Sequence, residues 1–222
     1  MAWLAGVLAS LFALPLADPD LSTSDQPVRF ILAALFLQNL GIVVALMVIS
    51  DRKGQRSLGR DFGLVWPFDR MRPGPVLGWI GAGAALSILA SVLLRPIAEL
   101  GNLDESAQEV SKTVERAGGP GLVLLMLGVV LVAPVVEELL FRGALLRALQ
   151  RRFSLPLAVF ISAAVFAGVH VVGDPGSYYV VPGLMLLGLV SGYEAARRGD
   201  LSRSVLLHVG FNLLSAVALV AT

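Results

Sequence analysis

The chain has 222 residues, of which 56% are apolar and only 15% charged, and its mean hydropathy is strongly positive, which excludes an ordinary soluble globule. It contains no cysteine, so disulfide frameworks, thiolate–zinc sites, iron–sulfur clusters and thiol nucleophiles are ruled out. A net charge of +1 without a basic stripe argues against a nucleic-acid partner.

Between successive charged residues run seven stretches, each near the length at which a helix crosses ~30 Å of hydrocarbon. The first, 1–17, is short and ends in a small-residue sequence around Pro15, yet no Lys or Arg precedes Arg29, so it reads as an uncleaved span rather than a signal peptide. Asp18, Asp20 and Asp25 follow, then the second run, 30–50. The connection 51–72 carries Arg52, Lys53, Arg56, Arg60, Arg70 and Arg72, and its Phe62, Trp66 and Phe68 suit the half-wet interface. After the third run, 73–94, comes an acidic segment with Glu99, Asp104, Glu105, Glu109 and Glu115, and 101–116 is polar enough for a short surface helix. The fourth run, 117–136, leads into Glu137, Glu138 and Arg142; the fifth, 153–173, holds His170. The sixth, 175–193, is flanked by Asp174 and by Tyr178, Tyr179 and Tyr193, which again suit the interface; the seventh, 204–222, holds His208 and Asn212.

These runs predict an all-α membrane protein, a polytopic bundle of seven transmembrane helices within bounds of six to eight, forming one integral membrane domain around an intramembrane cavity. The connections 51–72, 147–152 and 197–203 hold 12 of the 17 basic residues and alternate with acidic ones. By the positive-inside rule the N-terminus is then cytoplasmic and the C-terminus outside, in a membrane that reads as the bacterial inner membrane.

Polar side chains inside spans cost at least ~2.5 kcal/mol each and therefore mark function. Glu138 and Arg142 are spaced i, i+4 in the order that favours an ion pair, which leaves Glu137 to face a cavity. Pro134 lacks an N–H and crowds the carbonyl of Val130, so the helix is expected to bend just before the acidic pair. His208 and Asn212, also i, i+4, share a face. Counted from the basic connections, His170 lies about 18 residues beyond Arg152 but His208 only a few beyond Arg203, so the fifth and seventh spans must be offset for the two imidazoles to meet. A carboxylate, two imidazoles and an amide on three spans suffice for hydrolysis: Glu137 with His170 activates a water, and His208 with Asn212 stabilises an oxyanion. An ion-coupled transporter and a non-catalytic membrane interaction or immunity protein are the alternatives from other classes.

The three segments, 137–143, Phe166 through His170, and His208 through Asn212, resemble in order the three motifs of the CPBP intramembrane proteases. That family includes the Rce1-like CAAX prenyl endopeptidases, the lysostaphin-resistance proteins and bacteriocin self-immunity proteins. The resemblance covers about residues 120–222, the four-span catalytic core; residues 1–119 read as three generic membrane helices. It implies an endopeptidase acting on a membrane-associated or lipidated peptide or protein within the lipid bilayer, with Glu137, His170, His208 and Asn212 catalytic and Glu138 and Arg142 supporting. It leaves open a zinc site on Glu137, His170 and His208, although the chain lacks the His-Glu-x-x-His helix that presets two ligands on one face, and the metal-free reading is preferred.

Overall fold

A computed structural model of the chain describes residues 1–21, 25–65, 67, 71–101, 104–172, 178 and 180–220, with the backbone alone for 94–101 and 104–112. Helix α1 (Ala2–Ser10) tightens into a 3₁₀ turn, Leu11–Leu16, and is followed by α2 (Val28–Lys53), the short α3 (Leu58–Phe62), α4 (Pro73–Gly101) and α5 (Asp104–Leu127). A long rod continues from α5 through a π-helical stretch, Gly128–Val132, into α6 (Ala133–Glu138), a second π-helical stretch, Leu139–Leu146, and α7 (Arg147–Gln150). Helices α8 (Leu155–Val172), α9 (Val181–Arg198) and α10 (Ser202–Val220) complete the order, and the described residues include no strand.

The described residues of each of the seven uncharged runs are mainly helical. Five helical segments are long and apolar enough to cross a membrane: Val28–Lys53, Pro73–Leu93, Thr113–Gln150, Leu155–Val172 and Ser202–Val220. The other two runs fall short of seven full spans for identifiable reasons. Ala2–Leu16 is too short to bridge ~30 Å at ~1.5 Å per residue, and α9 carries Glu194, Arg197 and Arg198 in its last turns. The long helices present large apolar side chains outward, among them Leu40, Val44 and Met47 on α2 and Ile88, Val92 and Leu93 on α4, an arrangement stable only against lipid.

The polar segment before the long rod is helical over 104–117, as expected, and is separated from the membrane rod by Gly118 and Gly119. Both have positive φ with ψ values open only to glycine, and Pro120 then starts the next helix at a position where no N–H is needed. Arg116 ties this boundary to the connection before α2 through the Asp25 carbonyl (2.9 Å).

Helix α10 is the axis of the bundle. From Ser204 to Gly210 every residue is buried, so neighbours surround this stretch on all sides. Its principal partner is α4, and the approach is close because each helix offers a glycine: a Cβ on Gly83 would strike the Leu207 carbonyl, and one on Gly210 the Ile80 carbonyl. Helix α8 packs on α9, and α1 on α2.

The three basic connections meet at one end. Arg147 donates to the carbonyls of Asp61 (3.2 Å) and Gly199 (2.6 Å), and Leu201 N–H donates to the Gly63 carbonyl (2.9 Å). Phe62 departs from the interfacial position expected of it: it is buried at the end of α3, where its carbonyl closes on Gly143. Tyr178 and Tyr193 are exposed, Tyr193 with the Arg197 guanidinium over its ring, whereas Trp66, Phe68, Tyr179 and Asp174 lie outside the described residues, as do the side chains of Glu99, Asp104, Glu105 and Glu109.

Asp61 anchors α3 to the end of α2. The Ser50 hydroxyl donates to its carboxylate, as does the Gln55 N–H (2.9 Å), and these bonds hold the carboxyl below its ordinary value of 3.8. A depressed carboxylate contributes stability that is present above the ordinary value and is lost as pH falls through the lowered one. Asp61→Asn should therefore lower the melting temperature of the detergent-solubilised protein near pH 7, and the gap to wild type should close as the pH drops below about 4. Thermal unfolding across a pH series checks this; a gap that persists unchanged in acid would contradict it.

Candidate active site

The site is built on the interrupted rod. In the first π-helical stretch the Ala133 N–H donates five residues back, to Gly128. The next donor in that register would be Pro134, which has no N–H, and this leaves the Val129 carbonyl unanswered from within the helix. Asn212 answers it, its side-chain amide donating to the Val129 carbonyl at 2.9 Å. The expected effect of Pro134 thus appears as a loosened turn, and the freed carbonyl belongs to Val129 rather than Val130 because the register is i to i+5. A second π-helical stretch begins directly after Glu138, so the two glutamates occupy a short α-helical island between widened turns.

Both glutamates address His208, from opposite sides of its ring. Glu138 Oε1 lies 3.1 Å from His208 Nδ1, and Glu137 Oε2 lies 3.5 Å from His208 Nε2. The other Glu137 oxygen, Oε1, is 3.9 Å from His170 Nε2. Those last two separations are longer than a direct hydrogen bond, the spacing at which a bridging water has to be considered. Arg142 Nη1 reaches Glu138 Oε1 at 3.2 Å, giving the i, i+4 pair. That pair is wholly buried, whereas the side chains of Glu137 and His170 keep 22% and 32% of their exposure and His208 only 2%. The accessible edge of the cluster is therefore the gap between Glu137 on α6 and His170 on α8.

The geometry fixes one hydrogen. His170 Nδ1 sits 2.7 Å from the Phe166 carbonyl, and a carbonyl only accepts, so Nδ1 carries the proton and Nε2 is the nitrogen turned to Glu137. Phe166 opens the second motif, where the sequence assigns it no role of its own. Its buried ring meets His170 at 4.8 Å, His208 at 5.6 Å and Phe141 at 5.2 Å, all edge to face, and the Arg142 guanidinium lies 4.4 Å from its centroid. One apolar ring orients both imidazoles and receives the cation that balances Glu138. Its position four residues before His170 was the available signal, since i and i−4 share a helix face.

The offset between spans is resolved by their starts. From Glu137 to Gln150, and from His170 back to Leu155, the rise is about 20 Å and about 22 Å, whereas His208 stands only about 9 Å from Ser202. The hairpin joining α7 to α8 therefore projects some two turns beyond the α9–α10 connection, and the Arg147 bond to Gly199 marks where the shorter connection meets its flank.

Of the expected residues, Glu137, Glu138, Arg142, His170 and His208 form one connected cluster, while Asn212 joins it through Val129, two turns before Glu137. Among the described residues no group of three or more His, Asp or Glu side chains stands out as a metal site, and Glu137, His170 and His208 meet with separations of 3.5 and 3.9 Å across the Glu137 carboxylate. A cavity of about 430 Å³ lies at the basic end, lined by Arg60, Arg147 and Arg151 among others, and not around the imidazoles.

Residues 119–214 match the family model of the type II CAAX prenyl endopeptidases, Rce1-like. The Uncharacterized 24.3 kDa protein of Escherichia coli is 30% identical over 92 residues, which is 40% of this chain and 42% of that one. The chain thus spans under half the length of the curated relative it matches. No solved structure matches it.

The buried pair should behave as a unit. Removing the cation alone, Arg142→Met, strands Glu138 and is expected to cost about 3–5 kcal/mol. The double substitution Glu138→Gln with Arg142→Met should recover much of that loss. Unfolding of the detergent-solubilised variants in a double-mutant cycle measures the coupling, and additive losses would show that the two side chains do not depend on each other.

Proposed function

We propose that the chain, whose residues 119–214 match the model of the Rce1-like type II CAAX prenyl endopeptidases, is an intramembrane endopeptidase whose water is activated by Glu137 and His170. The observation that carries the reading is the partly exposed Glu137 carboxylate held between two imidazoles, with a second carboxylate and its arginine sealed behind.

In this mechanism a water enters at the open edge, donates a hydrogen bond to His170 Nε2 and loses a proton to Glu137 as its oxygen bonds to the peptide carbonyl carbon. Negative charge then builds on the carbonyl oxygen. His208, held through Nδ1 against Glu138, is one donor to that oxygen, and the second amide hydrogen of Asn212, beyond the one given to Val129, is the other. Glu137 returns its proton to the leaving amine as the C–N bond breaks. The scheme routes no step through a metal.

The substrate class that follows is a membrane-associated or lipidated peptide or protein. The basic end, where Arg147 joins three connections, is proposed to face the bacterial cytoplasm, with the N-terminus there and the C-terminus on the far side.

Glu137→Gln and His170→Ala should abolish cleavage of a membrane-anchored peptide by the purified protein while leaving its size-exclusion profile unchanged. Asn212→Ala should reduce turnover roughly 10²-fold. Product formation by mass spectrometry reads all three, and cleavage that survives Glu137→Gln removes the proposed base. The same assay run with a chelator should retain activity; loss followed by recovery on adding zinc would replace the metal-free scheme.

A further inference from the structure

The cavity at the basic end of the bundle is distinct from the catalytic cluster. It encloses about 430 Å³ between the end of α2, α3 and the rod that becomes α7, and three arginines line it: Arg60, Arg147 and Arg151. We propose that it binds the phosphate headgroup of an anionic membrane lipid.

Charge is the first argument. Arg60 and Arg151 are exposed and take part in no ion pair with the described residues. Asp61 also borders the pocket, but its carboxylate is turned onto the Ser50 hydroxyl and the Gln55 N–H, and what it gives Arg147 is its backbone carbonyl. Arg60 and Arg151 are therefore left without a carboxylate among the described residues, and guanidinium forks match phosphate oxygens in paired hydrogen bonds.

Rigidity is the second. Arg147 is clamped by the carbonyls of Asp61 and Gly199, and it packs so tightly on Gly63, a positive-φ residue, that a Cβ there would strike the guanidinium. This cation is positioned before any ligand arrives. Besides Gln55, the remaining wall is apolar, made by Ile49, Phe62, Gly143, Ala144 and Ala148.

The apolar wall selects the source of the phosphate. Ile49 stands in the last turns of α2, next to the outward-facing Met47 and Val48, so the pocket opens onto the surface that meets lipid. A free anion would satisfy the arginines and leave that wall in water. A phospholipid satisfies both, with its phosphate among the arginines and an acyl chain along α2. Basic pockets between membrane helices on the cytoplasmic side are where such headgroups bind.

The test uses the full-length protein, delipidated in detergent and titrated with short-chain phosphatidylglycerol, with phosphatidylcholine of equal chain length and with inorganic phosphate, followed by native mass spectrometry and melting temperature. Phosphatidylglycerol should bind and raise the melting temperature, and the other two should do so weakly or not at all. Arg60→Gln and Arg151→Gln should each weaken phosphatidylglycerol binding about fivefold. Arg52→Gln, an exposed arginine at the same end that does not line the pocket, should leave it unchanged. Equal binding of phosphatidylcholine, or equal loss in Arg52→Gln, would reduce the effect to general adsorption and overturn the site. Inorganic phosphate binding as tightly as the lipid would assign the pocket to a free anion instead. These outcomes do not involve Glu137 or His170, so the pocket and the proposed protease activity stand or fall separately.

Discussion

Hydrocarbon offers no water to answer a polar group, and that constraint governs the C-terminal half of this protein. The fully buried Glu138 is tolerable because Arg142 lies 3.2 Å away, and Arg142 because the carboxylate and the Phe166 ring both face it. The same logic extends outward. Glu138 reaches one nitrogen of His208, Glu137 faces the other, and Glu137 in turn faces His170. These polar side chains thus form a chain that starts in a sealed ion pair and ends at the accessible edge between Glu137 and His170.

A backbone vacancy is answered in the same way. Pro134 breaks the hydrogen-bond ladder one turn before the glutamates, the π register carries the break to Val129, and the amide of Asn212 closes it from α10. The contact ties α10 to the rod close to the point where His208, one turn earlier on α10, must meet both glutamates. Glycine pairing holds the other side of α10, where Gly83 and Gly210 let α4 approach until carbonyls touch Cα atoms. The central helix is therefore fixed on two faces, and the position of His208 follows from both.

The basic end serves a different purpose from the polar chain. Its arginines sit where the helices leave the hydrocarbon, and Arg147 uses its fork to join three connections that are distant in sequence. The hairpin between α7 and α8 projects beyond this junction, which brings His170, deep in a late-starting helix, level with His208, shallow in another.

The sequence by itself marked the apolar stretches that form the helices, five of them long enough to cross a membrane, because long uncharged runs have few alternatives to a helix in lipid, and it identified the Glu138–Arg142 pair, because i, i+4 neighbours meet on any helix. It also singled out the six polar residues of the candidate site, since their cost in hydrocarbon makes them conspicuous. Tertiary structure alone decided that His208 is shared by both glutamates, that Phe166 orients the two imidazoles, that Asn212 serves the carbonyl Pro134 leaves free, and that Phe62 is buried rather than interfacial. Those outcomes depend on the offset and facing of separate helices, which are set by packing between side chains far apart in the chain and leave no mark in the periodicity of any one segment.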